Sequence, residues 1–438
     1  MKKNLYLALG LLVVFSMLLV GCGQKAAPTA PPPYVAQPTT PPEPTAVPPT
    51  PEPTAVPTAA PVKITIWHQW SGDYEVAIKQ AFADYTAAHP NVTIDLTKPE
   101  DVTAALKVAI PAGEGPDIIA WANDQIGTNA LIGNIVPLDD QGINMAFLNS
   151  TYEPAAVKGV VWQGKIWGLP ESQEGIAFVY NKKLVTDEFL PTDPKDFNAL
   201  LAKAKAFAEK NPGLYLVCNQ ALGNPDAYHA APVYFGFGMP GYVDDLGNVY
   251  MGSAESIAAA KWMVEFSKYA PKETSHDLCK SMITEGKAGA WWTGPWAIAD
   301  LEKAGVDYGI LPMGSPFVGI KNVMLCKNAV DRGNAAVAID VMKYYTSAEA
   351  QKKITLANKT IPANSAVLKD AEVQKLYTLA GFGASLNLGV PMGNTPFANA
   401  QWGPVGDATT AVWTGTQTPE EAMAAAKAAI EKAIADMK

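Results

Sequence analysis

From Lys63 the chain alternates short apolar runs with helically spaced segments, and that alternation restricts the folds open to it more than any other feature. KITIW (63–67) reads as a strand, Val76 to Ala88 places Val76, Ile78, Phe82 and Tyr85 at helical spacing, and NVTIDL (91–96) alternates like a strand again. Thr103 to Ile110 returns to helical spacing, and DIIAW (117–121) supplies a third strand. Strand–helix–strand–helix–strand predicts a parallel sheet with right-handed crossovers and helices on both faces. In open sheets of this type a ligand sits beyond the carboxyl ends of the strands, where Trp67 and Trp121 stand.

Further along, VVWQGKIWGLP (160–170) has a hairpin pattern around Gly164, while GIAFVYN (175–181) and LYLVCN (214–219) read as strands. KAGAWWTGPWAIADL (287–301) reads as a strand, a tight turn at Gly294-Pro295 and a helix starting near Trp296. Residues 196–210, 253–269, 335–345, 347–356 and 418–437 read as helices. The residues after 61 are too many for a single ordinary core, so two lobes are expected.

The first sixty residues fall outside this scheme. Lys2 and Lys3 precede an apolar stretch from about Leu5 to Val20 and then Gly21-Cys22, the pattern of an export signal. Leu19-Val20-Gly21-Cys22 resembles a bacterial lipobox, in which the cysteine is lipidated and becomes the new N-terminus. An uncleaved anchor helix is the alternative, although the run is marginal for a span of ~20 apolar residues. Residues 26–61 are Pro, Thr, Ala and Val with almost nothing else, and PEPTAVP occurs at both 42–48 and 51–57. Such a tract buries no core and reaches on the order of 100 Å when extended at ~3.1 Å per residue. Segments 1–22 and 23–62 are therefore assigned to the leader and to a disordered tether.

A formal net charge of −9 argues against nucleic acid or an anionic surface as a partner. After Cys22, the cysteines Cys218, Cys279 and Cys326 have no metal-ligand spacing and fit either one disulfide with an odd thiol or three separate thiols. The chain has no HExxH, GxSxG, Walker A or Gly-rich dinucleotide turn, and its four histidines are scattered. Neither a catalytic residue, a metal nor a cofactor is assigned. Glu171 with Glu174, or Asp124 with either, is the pairing a glycoside hydrolase would need.

Aromatic placement points elsewhere. Trp67, Trp70, Trp121, Trp296 and Trp402 fall at expected strand ends or turns. A flat aromatic face complements the C–H face of a sugar, and nearby carboxylates and amides bind its hydroxyls. In GPDIIAWANDQIG (115–127), the apolar run delivers Trp121 and then Asp124, with Gly127 closing the turn.

ITIW (64–67), GEGPDIIAWANDQIG (113–127), GLPESQEGIAFVYNKKLV (168–185), GKAGAWWTGPWAI (286–298) and YGILPMG…PFVG (308–319) together resemble extracellular solute-binding proteins of ABC importers, specifically those similar to maltose/maltodextrin-binding protein. The resemblance covers essentially everything after the tether. It implies a two-lobed periplasmic-binding-protein fold of the type II-like class, each lobe a mainly parallel sheet flanked by helices, with a hinge between. The lobes would be 63–172 plus about 321–372, and 173–320 plus about 373–438. It also implies a non-catalytic, monomeric receptor that delivers a maltodextrin-like oligosaccharide to membrane permease subunits. The receptor would be exported and held by lipid on Cys22 at the outer face of the cytoplasmic membrane. A different di- or oligosaccharide, such as trehalose, sucrose or a β-glycan, is the alternative.

By the same resemblance Trp121 stacks on the sugar, Asp124 binds hydroxyls, Glu174 lies near the hinge, and Tyr228 packs on the ligand from the second lobe. Asp226 stands where the family has a glutamate, and Trp296 and Trp402 match a stacking platform. Gln125 replaces an arginine, Thr103 a glutamate, His276 a tyrosine and Gly406 another arginine. HQWSGD (68–73) lacks the family's Asp-Lys pair, and Trp70 is taken as an extra stacking face.

Overall fold

The computed structural model describes residues 60–70 and 72–437. The leader, Cys22 and nearly all of the tether assignment lie outside the described residues. β1 (Val62–His68) begins at the last residue given to the tether, and α1 (Gly72–Ala88), β2 (Val92–Thr97), α2 (Val102–Ala112) and β3 (Ile118–Ala122) follow in the expected order. Alternation decides β1: Ile64 and Ile66 are buried on one face, while Lys63 is exposed on the other. α2 starts where the Asp101 side chain accepts from the Ala104 N–H and stops at Gly113, whose φ of +79° a side chain would resist.

β4 (Val161–Trp162) and β5 (Lys165–Ile166) form the expected hairpin. Its two turn residues, Gln163 and Gly164, have φ of +50° and +72°, as a type I′ turn requires. β6 (Leu169–Glu174) belongs to the same sheet as β1 to β3, and two residues later the chain enters another as β7 (Ala177–Asn181). That second sheet has the order β10–β7–β9–β8, with β8 at Tyr215–Cys218, β9 at Ala288–Thr293 and β10 at Tyr308–Leu311. β11 (Phe317–Leu325) returns to the first sheet, which β12 (Ile361–Pro362) and β13 (Val390–Pro391) join.

Two sheets flanked by helices agree with the two-lobed α/β class, but the expected mainly parallel pairing is corrected. β1 is parallel to β2 and β3, whereas β11 is antiparallel to β3 and β6, and β7 is antiparallel to β9 and β10. The cause is the crossing itself. The chain leaves the first sheet along β6 and comes back beside it along β11, so outgoing and returning strands must oppose, with Gly319 facing Glu174.

β9 shows why the second sheet is buried on both faces. Trp292 points into a core with Phe178, Phe207, Leu216 and Trp262, and Trp291 into another with Val179, Ile283 and Phe382. Truncating either tryptophan to alanine costs about 3–5 kcal/mol by the usual scale for large core residues. Between the two cysteine readings, the structure has a Cys218–Cys279 disulfide and a buried free Cys326. No helix among the described residues is long and apolar enough to cross a membrane.

Candidate functional site

A cavity of about 670 Å³ opens between the two sheets and receives side chains from both. β3 ends at Ala122 and α3 (Gln125–Leu131) begins three residues on, which puts Trp121 at a strand end and Asp124 at the helix N-cap. Gly127 does not close a turn. It lies inside α3, where a Cβ would collide with the backbone of Thr395 and Pro396. The close approach carries the segment before Trp402 onto the first sheet's side of the cleft. Trp402 is the first residue of the helix Trp402–Thr414, not part of a turn.

Asp124 is the acceptor around which this wall is built. Its Oδ2 accepts from Gln125 Nε2 at 2.9 Å and from the indole Nε1 of Trp402 at 3.0 Å. Burial pushes its carboxyl up to about 6, against hydrogen bonds from Gln125 and Trp402 that favour the charged form.

The floor is formed by the crossing strands. Glu174 at the end of β6 makes a 3.0 Å ion pair with Lys321 of β11, both largely buried. Tyr74 of α1 donates its hydroxyl to Glu171 and Glu174 at 3.2 and 3.4 Å, and its ring lies 4.4 Å from the Lys321 ammonium. Burial pushes Glu171 up to about 7, opposed by Lys321 and reinforced by Glu174. The two acids named as a hydrolase pair are thus tied together by a tyrosine and a lysine.

The far wall is aromatic. The Trp296 and Tyr228 ring centroids are 6.2 Å apart, and Phe317 stacks on Tyr228 at 6.0 Å while meeting Trp402 edge-on at 5.6 Å. Gly294 permits this arrangement, since a Cβ there would collide with the Trp296 ring. His276, Lys280 and Asp300 continue the lining, with Lys280 and Asp300 paired at 3.4 Å. The sole arginine of the sequence, Arg332, bonds Asp117 at 2.9 Å and stands outside this lining.

The structure thus brings Trp121, Asp124, Gln125, Glu174, Tyr228, Trp296 and Trp402 to one cavity. Asp226 does not line it. Its carboxylate caps the helix Ala227–Gly236 by accepting from the His229 N–H at 3.0 Å, and it also accepts from Gln220 at 2.9 Å. Burial works against that charge, but the His229 ring 2.8 Å away and these donors outweigh it and hold the carboxyl well below the usual range. Trp70 touches the lining but is only 2 % exposed, stacked on His68 at 4.7 Å and packed near Phe82 and Tyr345, so it offers packing instead of an open face. Lys321, Tyr74 and Phe317 had no signal in the sequence beyond lying in or near the quoted runs. Among the described residues no group of three or more His, Cys, Asp or Glu is placed to hold a metal.

A cleft between two α/β lobes, walled by tryptophans and floored by a buried ion pair, defines a protein built to enclose a small ligand. The chain belongs to the family described as bacterial extracellular solute-binding protein, which matches residues 80–381. It is 29 % identical over 357 residues to a maltotriose-binding protein of Pyrococcus abyssi, spanning 78 % of this chain and 76 % of that one. It is 26 % identical over 373 residues to a galactooligosaccharide-binding protein of Bacillus subtilis, spanning 79 % and 84 %. In structure it resembles the maltose/maltodextrin-binding domain from Bdellovibrio bacteriovorus bound to maltotriose, with a TM-score of 0.77 at 23 % identity over 86 % of this chain and 100 % of that one. The last likeness shows the fold.

Proposed function

We propose that the protein is the ligand-capturing receptor of an ABC-type carbohydrate importer, taking a maltodextrin-like oligosaccharide into the cleft. The observation that carries the reading is the pairing of aromatic faces with Asp124 across one cavity of about 670 Å³, within the usual range for small-molecule sites. Trp121, Trp296 and Trp402 would cover sugar faces, with Tyr228 beside them, while Asp124 and Glu174 accept hydroxyls. The lobes divide near 172/173, 320/321 and 372/373. A ligand touching both holds the closed form because it binds that form better than the open one. Lipid on Cys22 and the tether to residue 62 would keep this monomer near the permease. No cofactor is needed.

The test is a sugar panel read by thermal shift and tryptophan fluorescence. A true ligand at 100 times its Kd stabilises by ~2.7 kcal/mol. Maltotriose and longer maltodextrins are expected to shift both readouts. Silence with every gluco-oligosaccharide would reject the maltodextrin assignment. The Bacillus relative, named for galactooligosaccharides, favours a second reading in which the same cleft takes another oligosaccharide. Neutral Gln125 supports it too. Release of reducing ends by the purified protein, lost in Glu174→Gln, would overturn the non-catalytic assignment.

A further inference from the structure

We propose that Asn399 is a positioning residue of the cleft: acting through Gln125, it holds Asp124 Oδ2 and so fixes how that carboxylate is presented to a ligand hydroxyl. The inference rests on the oligosaccharide reading above. Gln125 is a neutral amide with two N–H donors, and both are used. One goes to Asp124 Oδ2 at 2.9 Å and the other to Asn399 Oδ1 at 3.1 Å. Its own Oε1 accepts from Thr103 Oγ1 at 3.4 Å. Reversing the Gln125 amide would set its carbonyl against the carboxylate and against the Asn399 carbonyl at once, so only one orientation satisfies the site.

Asn399 is itself anchored, donating Nδ2 to Thr128 Oγ1 at 2.8 Å. The chain Thr128–Asn399–Gln125–Asp124 therefore runs from α3 out to the turn Pro396–Ala400 and back to the carboxylate. Two residues past that turn's Ala400, Trp402 supplies the second donor to the same Oδ2. Both side-chain donors converge on one oxygen. The segment that carries a wall of the cleft thus also sets how Asp124 faces it, and Gln125, whose two donors and carbonyl oxygen are all engaged, transmits that setting.

Carboxyl ¹³C NMR of aspartate-labelled, ligand-free protein reads Asp124 directly, with Asp124→Asn identifying its resonance. Asn399→Ala is expected to raise the Asp124 titration midpoint. Gln125→Ala should raise it too, and the double variant no further than Gln125→Ala alone, because Asn399 acts only through the amide. Calorimetric titration with whichever panel sugar binds should weaken about tenfold in each single variant and in the double. An unmoved midpoint in Asn399→Ala, or shifts that add in the double, would overturn the proposal. A wild-type protein that binds no oligosaccharide would overturn the functional reading and the ligand half of this one, while the NMR cycle still decides the positioning half.

Discussion

Asp124 is 6 % exposed, and its carboxyl is raised from the ordinary 3.8 to about 6. Between those two values the folded chain holds a proton that the unfolded chain has lost, so folding is favoured as pH falls through the window and the ionised group is a burden at pH 7. The raised value corresponds to roughly 3 kcal/mol. Asp124→Asn keeps an oxygen for the Gln125 and Trp402 donors but removes the charge. It should raise the thermal midpoint of the ligand-free protein by several degrees at pH 7.5, with the gain vanishing below about pH 4. Ligand affinity should fall about tenfold or more in the same variant, by calorimetry. Trp121 and Asp124 were legible in sequence because an apolar strand ends on them. Lys321 and Asn399 were not, since each meets its partner only after distant segments converge, about 150 residues from Glu174 in one case and 274 from Gln125 in the other. Trp70 misled because a tryptophan's position near a strand end does not reveal whether its face is open.

Among elements, β1 to β3 could be read from alternation, but β6 could not. Leu169-Pro-Glu-Ser-Gln-Glu174 shows polar residues where a buried strand is expected to be apolar, yet all but Gln173 are buried. Its acids are tolerated because α1 and β11 bring Tyr74 and Lys321 against them. Glu171, raised from 4.5 to about 7, follows the same sign as Asp124: the folded state gains as pH falls from 7 to 4.5. Glu171→Gln should therefore be more stable than wild type at pH 8 by up to roughly 3 kcal/mol, the difference closing by pH 4.5 in denaturant titrations. The turn after β9 makes a separate demand. Gly294→Ala should displace Trp296 and weaken binding without loss of secondary structure, which fluorescence and circular dichroism together would detect.

At the scale of the molecule, two crossings join the sheets, β6 to β7 and β10 to β11, and the segment that follows β12 packs on the surroundings of both. Asn394 bonds the Gly159 and Val161 carbonyls at 3.0 Å and Asn123 bonds the Met392 carbonyl at 2.9 Å, while the helices Tyr377–Leu386 and Trp402–Thr414 pack on the second sheet's side. The Cys218–Cys279 link lies wholly within that second sheet's surroundings and closes a separation of 61 residues. Chain-entropy arguments give such a loop ~4 kcal/mol. Reductant, or Cys218→Ser with Cys279→Ser, should lower the calorimetric midpoint and split one transition into two as the second lobe unfolds first. A single transition with an unchanged midpoint would contradict this.

Cys326 has one more consequence. Burial and the nearby Asp117 carboxylate push its thiol well above the usual range, so it offers no thiolate to solvent, and the other two cysteines of the described residues are already joined. A single cysteine introduced at the cleft rim, in a chain lacking the leader, would thus take a maleimide dye without background. The native scaffold is chemically silent enough to serve as an optical reporter of its own ligand.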